Sequence, residues 1–139
     1  KPDPDITMTS PGDTNTCVCV AAYNHNNDSI YYASGRGFTP SGRIVPDIAA
    51  PGVNVYVPVP GKRFTQRSGT SVAAAHAAGA AALLMEWGIY RKNNLNMDTT
   101  EIKKYLIRGA KRQADIVYPN TRWGFGTLDL YNVFQSLTT

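Results

Sequence analysis

The chain has 139 residues, 42% of them hydrophobic and 17% charged, which excludes disorder and low complexity as descriptions of the whole. Its formal net charge of +4 does not identify an acidic partner, because the basic residues are scattered along the sequence. Cys17 and Cys19 stand too close together for an easy disulfide in a strand, and their spacing supplies no metal site. We expect one hydrophobic core, two buried thiols, no metal and no cofactor.

Short strands are predicted in the first half of the chain. Residues 1–16 are rich in proline, aspartate and threonine and are typical of a surface connection. Strands are then predicted over residues 17–22, 30–33, 53–57 and 62–67. The first is a continuous apolar run, as in a strand buried on both faces of a parallel sheet. Pro58 and Pro60 are expected to end the third strand.

Three helices are predicted in the second half, over residues 71–90, 99–109 and 129–137. The first is rich in alanine and glycine on several faces, so we expect neighbouring elements to enclose it. It contains His76 and Glu86 and has too few strongly apolar residues for a membrane span, so no membrane contact is expected. Asp98 or Thr99 should cap the second helix.

Basic residues cluster on and after the second predicted helix, interleaved with apolar ones. A solvated helix face explains such a cluster, whereas nucleic-acid binding calls for a recognisable module or a continuous basic stripe with stacking aromatics. We therefore expect no nucleic-acid partner. The cluster comprises Lys103, Lys104, Arg108, Lys111 and Arg112.

A small, flexible turn, Ser68-Gly69-Thr70-Ser71, stands directly before the alanine-rich helix. A serine at this place can act as a nucleophile, since the free N–H groups of the first helical turn are suited to stabilising an oxyanion. The same serine, or Thr70, can equally be an ordinary helix cap. Local features alone favour the cap.

Three sequence blocks occur in order along the chain: GRIVPDIAAPG at 42–52, RSGTSVAAAHAAG at 67–79 and WGFGTLDL at 123–130. Together they resemble the subtilisin family of serine proteases. The resemblance implies that Ser71 is the nucleophile. It also implies an α/β fold, with residues 1–139 forming the C-terminal part of a subtilisin-like, parallel-sheet, three-layer peptidase domain. One departure is Ala75, where the family usually has proline.

Subtilisin-like enzymes order their triad along the chain as aspartate, histidine, serine. No segment before Cys17 resembles the aspartate or histidine motif, so we expect both residues, and the oxyanion asparagine, in upstream sequence. The chain alone is then expected to be inactive. The alternative is a non-catalytic pseudoprotease or a module that binds a peptide or another partner.

Four further residues of the block at 67–79 are predicted to have roles other than nucleophile. Ser68, Gly69 and Thr70 are expected to lie beside an extended substrate. His76 lies five residues beyond Ser71, which is about 140° around a helix and about 7.5 Å along it. This spacing turns His76 away from Ser71, and the resemblance implies that the histidine at this motif position is not the base, so we interpret His76 as a packed helix histidine.

Three further polar residues are predicted to be structural. His25 lies in a polar loop and is expected to face solvent. Asp47 and Asp129 lie in blocks that look like turns, so neither is expected to be catalytic.

The resemblance also implies partners. These are a peptide or protein substrate and the N-terminal part of the same peptidase. A separate hypothesis is association with a second copy of the chain, because an exposed sheet edge would otherwise be unsatisfied. It further suggests a secreted, cell-envelope or spore-associated bacterial protein.

Overall fold

The central sheet has three strands, which form one parallel pair and one antiparallel pair. The structure is a computed structural model that describes residues 5–137. The strands are β1 (Val20–Asn24), β2 (Ser29–Ile30) and β3 (Ile48–Pro51), in the spatial order β2-β1-β3. β1 is parallel to β3 and antiparallel to β2. The segment 126–128 continues the sheet beside β3, because Ala49 bonds to Gly126 and Leu128 at 2.9 and 2.7 Å.

The first two strands begin and end differently from the prediction. The run 17–22 starts pairing only at Val20, because Cys19 is held by Asp47, whose Oδ2 accepts the Cys19 amide hydrogen at 2.7 Å. Cys19 is buried as predicted, but Cys17 is only half-buried. The second strand ends at Ile30 rather than at residue 33, and the Tyr32 side chain is 82% exposed.

The most buried strand, β3, is not predicted by sequence. Residues 47–52 look like a turn because they combine aspartate, proline and glycine. In the structure Ile48, Ala49 and Ala50 are completely buried and pair with β1. A four-residue strand leaves too short an apolar run to distinguish it from a loop.

A separate antiparallel hairpin follows, formed by β4 (Val55–Val59) and β5 (Arg63–Arg67). Pro58 lies inside β4, opposite Phe64, so the prediction that it ends this strand is wrong, whereas Pro60 directly follows the last strand residue, Val59, as predicted. The physical reason is that both hairpin strands are edge strands, where a missing N–H can face solvent without loss of a ladder bond.

Three helices complete the fold: α1 (Thr70–Met85), α2 (Thr99–Gly109) and α3 (Leu130–Gln135). The first predicted helix does continue to residue 90, but its last turn, Glu86–Tyr90, is π-helical. Asp98 caps α2 by accepting a hydrogen bond from the Glu101 amide at 2.9 Å, and Asp129 caps α3 in the same way. Gly69 precedes α1, which has no side-chain cap, so the structure does not support the alternative in which Thr70 or Ser71 is an ordinary helix cap.

The core lies between the sheet and the three helices, and its centre is formed by Ile48, Leu84, Leu106 and Val133. The opposite face of β1 and β3 contacts the loop around Trp123, whose ring lies 5.6 Å from that of Tyr23. Helices packed on a partly parallel sheet confirm the α/β class.

Helix α1 buries a single stripe. Within residues 5–137 its buried side chains are Ala73, Ala77, Ala80 and Leu84, and most of the others are exposed, so the prediction of an enclosed helix is wrong for this part of the chain. The helical segment Thr70–Tyr90 is long and apolar enough to cross a membrane, but core helices of soluble proteins meet the same two criteria. The absence of membrane contact therefore stays a prediction.

Candidate active site

The Ser71 hydroxyl lies exposed in the first turn of α1. Within residues 5–137 neither its Oγ nor its backbone N–H makes a hydrogen bond. A free N–H at a helix start carries the positive end of the helix dipole. An exposed hydroxyl and a free N–H are thus both available at one residue.

The turn before Ser71 is fixed to the carboxyl end of the sheet through Gly52. The Gly69 amide donates to the Gly52 carbonyl at 2.7 Å, and the Gly52 amide donates to the Tyr23 carbonyl at 2.9 Å. A Cβ on Gly52 would lie 2.7 Å from Ala22 Cβ and 2.8 Å from the Gly69 oxygen. Only glycine therefore allows this close approach of β3 to the turn.

The carboxyl end of parallel strands is where α/β folds form their sites. The exposed hydroxyl and free N–H of Ser71 stand at that edge, because Gly52 directly follows β3. The fold therefore places the predicted nucleophile at the edge of the sheet where chemistry is expected.

The predicted substrate-proximal residues do not share one wall. Ser68 bonds to the neighbouring hairpin, since its Oγ accepts from the Asn54 amide at 2.9 Å and lies 3.4 Å from Asn54 Oδ1. Ser68 and Thr70 line two different depressions, one beside Tyr31 and the other beside residues 7–12. Their contact with substrate stays a prediction.

A cavity of about 380 Å³ opens beside Ser71, between the first turns of α1 and the hairpin. Its lining residues are Val55, Tyr56, Val57, Ser71, Val72, Ala75 and His76. The contribution of β4 was not predicted from sequence, because the proximity of this strand to α1 depends on tertiary structure.

His76 lies on the wall of the same cavity and is exposed, so its interpretation as a packed histidine is wrong. Among residues 5–137 no helix or strand covers the side of α1 that carries His76. The hairpin lies beside that side and leaves the cavity open. The His76 Nδ1 donates to the Val72 carbonyl at 3.1 Å, and no hydrogen bond joins the imidazole to Ser71 within the described part of the chain. The histidine therefore lines the same cavity as Ser71 without a hydrogen bond to it within residues 5–137.

The remaining candidates are structural. His25 is exposed in its loop, as predicted. Asp47 is 3% exposed and pairs with Lys103 Nζ at 3.1 Å, and Asp129 caps α3. Across residues 5–137 no three His, Cys, Asp or Glu side chains are grouped closely enough to hold a metal ion.

The third motif block supports the first. Gly124 has a φ of +59°, and a Cβ there would lie 2.6 Å from the Asp47 carbonyl oxygen. The Phe125 amide donates to that oxygen at 2.9 Å. Block 123–130 is therefore hydrogen-bonded to block 42–52. Block 42–52 is in turn hydrogen-bonded, through Gly52, to the turn at Gly69.

Comparison with known proteins identifies the class. The model of the subtilase family matches residues 3–126, and the chain belongs to this family of subtilisin-like proteases. It is 31% identical to the serine protease AprX of Bacillus subtilis over 129 residues, which cover 78% of the chain and 28% of AprX. Bacillopeptidase F of the same species is 30% identical over 74% of the chain and 7% of its own length.

A solved structure confirms the fold. The Clostridium perfringens CspB protease matches the whole chain with a TM-score of 0.95 and 38% identity, and the match covers 30% of that protein. The predicted subtilisin-like α/β fold is therefore confirmed. The chain spans less than a third of the length of CspB, AprX and bacillopeptidase F.

Proposed function

We propose that this chain supplies the nucleophile, Ser71, of a subtilisin-like serine endopeptidase. The observation that carries the proposal is the free hydroxyl and free N–H of Ser71 at the carboxyl edge of the sheet, beside an open cavity. Membership of a protease family supports this assignment, because the motif containing Ser71 occurs here in its expected strand–turn–helix context.

In the proposed reaction, Ser71 Oγ attacks the carbonyl carbon of the scissile peptide bond. A histidine outside residues 1–139 takes the hydroxyl proton and later delivers it to the leaving amine, while an aspartate orients that histidine. The Ser71 N–H donates to the oxyanion of the tetrahedral intermediate, and the dipole of α1 adds to this stabilisation.

The base is proposed to come from elsewhere, because within residues 5–137 neither His76 nor the exposed His25 makes a hydrogen bond with Ser71. We therefore propose that the chain by itself does not cleave peptides. Its exposed α1 surface supports docking of the N-terminal part of the same peptidase. Association with a second copy through the sheet edge is the alternative, and concentration-dependent size in solution distinguishes them.

The substrate is a peptide or protein segment in extended conformation. Gly69, with Ser68 and Thr70 on either side, is proposed to border its backbone near the scissile bond. The cavity between α1 and β4 is proposed to accept one of its side chains, and the walls at Val55 and Val57 favour an apolar portion of that side chain.

Peptide hydrolysis by the full-length protein tests this function. Ser71→Ala is expected to abolish turnover, whereas Ser41→Ala, which alters an exposed serine bonded to Thr39, is expected to retain it. Turnover that survives Ser71→Ala would contradict the proposal. Peptide binding by a wild type that never cleaves would indicate a pseudoprotease instead.

A further inference from the structure

The chain around Ser71 is exclusively basic. Residues 48–85 contain Lys62, Arg63 and Arg67, and no aspartate or glutamate. All ten acidic residues of the chain lie outside this stretch. The modest overall charge therefore hides a local excess of positive charge on the hairpin that leads to the nucleophile.

The hairpin register directs two of these cations to the cavity face. Arg67 pairs with Val55 across the ladder, and Arg63 pairs with Val59. Directly opposed residues project from the same face of a sheet. Val55 and Val57 line the Ser71 cavity together with Tyr56, and the side chains of Arg67 and Arg63 leave the hairpin on the face of the two valines, next to the cavity lining.

The two arginines are spaced along that face by four residues, which is about 13 Å in a strand. Arg67 is the nearer in sequence, since only Ser68, Gly69 and Thr70 separate it from Ser71. An extended peptide bound across the cavity would present several side chains over this length.

These cations are not neutralised within residues 5–137. None of the three makes an ion pair or a side-chain hydrogen bond there, and all three side chains are exposed. Three other basic residues, Arg91, Lys103 and Lys104, pair with carboxylates at 2.9, 3.1 and 2.6 Å. The hairpin is thus a basic wall that is complementary to a negatively charged ligand.

We propose that this wall selects peptide substrates with acidic side chains close to the scissile bond, with Arg67 and Arg63 as the residues that determine specificity. The proposal rests on the proposed peptidase function of Ser71. Like charges gathered at a cleft raise the local concentration and association rate of oppositely charged substrates. Guanidinium groups also form bidentate pairs with carboxylates.

The expected effect is moderate and depends on salt. Exposed ion pairs contribute little individually and are screened over about 10 Å at 0.1 M ionic strength. We expect about five-fold higher kcat/KM for an acidic peptide than for its amide counterpart at low salt. The preference should fall towards unity at high salt.

Two fluorescence-quenched peptides test the proposal with the full-length protein. They share one alanine- and leucine-rich sequence and carry either two glutamates or two glutamines around the cleavage position. The wild type is expected to prefer the glutamate peptide, and Arg67→Gln and Arg63→Gln to reduce that preference. Arg91→Gln is the control, because Arg91 pairs with Glu86 on the π-helical turn and should leave the preference unchanged.

Binding to Ser71→Ala keeps this test independent of turnover. Fluorescence anisotropy with uncleavable labelled versions of both peptides should show tighter binding of the glutamate peptide, lost in Ser71→Ala/Arg67→Gln. Equal kcat/KM and equal affinity for the two peptides would overturn the acidic preference alone. A binding preference without any cleavage by the wild type would instead contradict the peptidase function.

Discussion

Helix α1 joins two regions of opposite character. Its second half packs Ala77, Ala80 and Leu84 into a core with α2 and α3, where the side chains are almost completely buried. Its first turn carries Ser71 on an open surface beside a hairpin that contributes no residue to the core clusters. The buried end of the helix and the exposed end that carries the proposed nucleophile are thus separated along one element, and a well-packed end can hold an unpartnered end in place.

Loss of packing in the core around the second half of α1 is expected to have the largest effect on stability. Leu106→Ala should lower the free energy of unfolding by about 2–5 kcal/mol, because Leu106 is 1% exposed in the centre of the core. Leu95→Ala is the matched control, since Leu95 is 67% exposed and should cost less than about 1 kcal/mol. Chemical denaturation measures both, and equal losses would contradict the division into two regions.

A substitution at Gly52, where β3 meets the turn before Ser71, should affect the exposed first turn of α1. Gly52→Ala places a methyl group against the Gly69 carbonyl and Ala22, so the turn before Ser71 must shift. A displacement of about 1 Å at a reacting group reduces turnover by about 100-fold. Peptide hydrolysis at a temperature where circular dichroism shows a folded variant measures this effect. Activity within about two-fold of the wild type would show that Gly52 does not position the nucleophile.

The ion pair between Asp47 and Lys103 links the sheet to α2. Asp47→Asn removes the charge that holds Lys103, and we expect a loss of about 2 kcal/mol. This is less than for a fully buried pair, because the Lys103 side chain is 17% exposed. Glu101→Gln breaks the more exposed pair with Lys104 and should cost less than Asp47→Asn. A reversed order in urea denaturation would contradict this account of the pair.

The smallest effect concerns the two thiols, which differ in burial. Burial, and secondarily the Asp47 carboxylate, raise the pKa of Cys19 from 9.0 to about 11. The folded thiol therefore stays protonated to a higher pH than the unfolded thiol. The contribution of this proton to the free energy of unfolding should be lost only as the pH rises above about 9. At pH 8 a thiol reagent should modify half-buried Cys17 well before Cys19, which should react only on unfolding. Mass spectrometry of the two peptides measures the order, and rapid labelling of Cys19 would contradict its burial.

Sequence patterns predicted the helices better than the strands. The bounds of α2 and the cap at Asp98 follow from helical periodicity and from local hydrogen-bonding chemistry, and both are confirmed. β3 could not be predicted, because its burial depends on pairing with β1, which lies over 20 residues earlier in the chain. The pairing of Pro58 with Phe64 likewise follows from an edge position that no local pattern indicates.

The candidate site divides in the same way. The start of a helix near Ser71 follows from the three residues that precede it, and the structure has Ser71 in the first turn of α1. The exposure of His76 could not be predicted from its spacing, because it depends on which elements cover α1. The basic wall also needed the hairpin register, which brings Arg63 and Arg67 to the face of Val55.

The most direct test of the central claim is covalent labelling of the full-length protein with a fluorophosphonate probe, followed by peptide mapping. Such probes modify a serine only where a base activates it and an oxyanion site receives the phosphonyl oxygen. We predict one adduct, on Ser71, absent from Ser71→Ala and absent from the isolated 139-residue chain. An adduct on another serine, or none on the full-length protein, would contradict the assignment of Ser71 as an activated nucleophile.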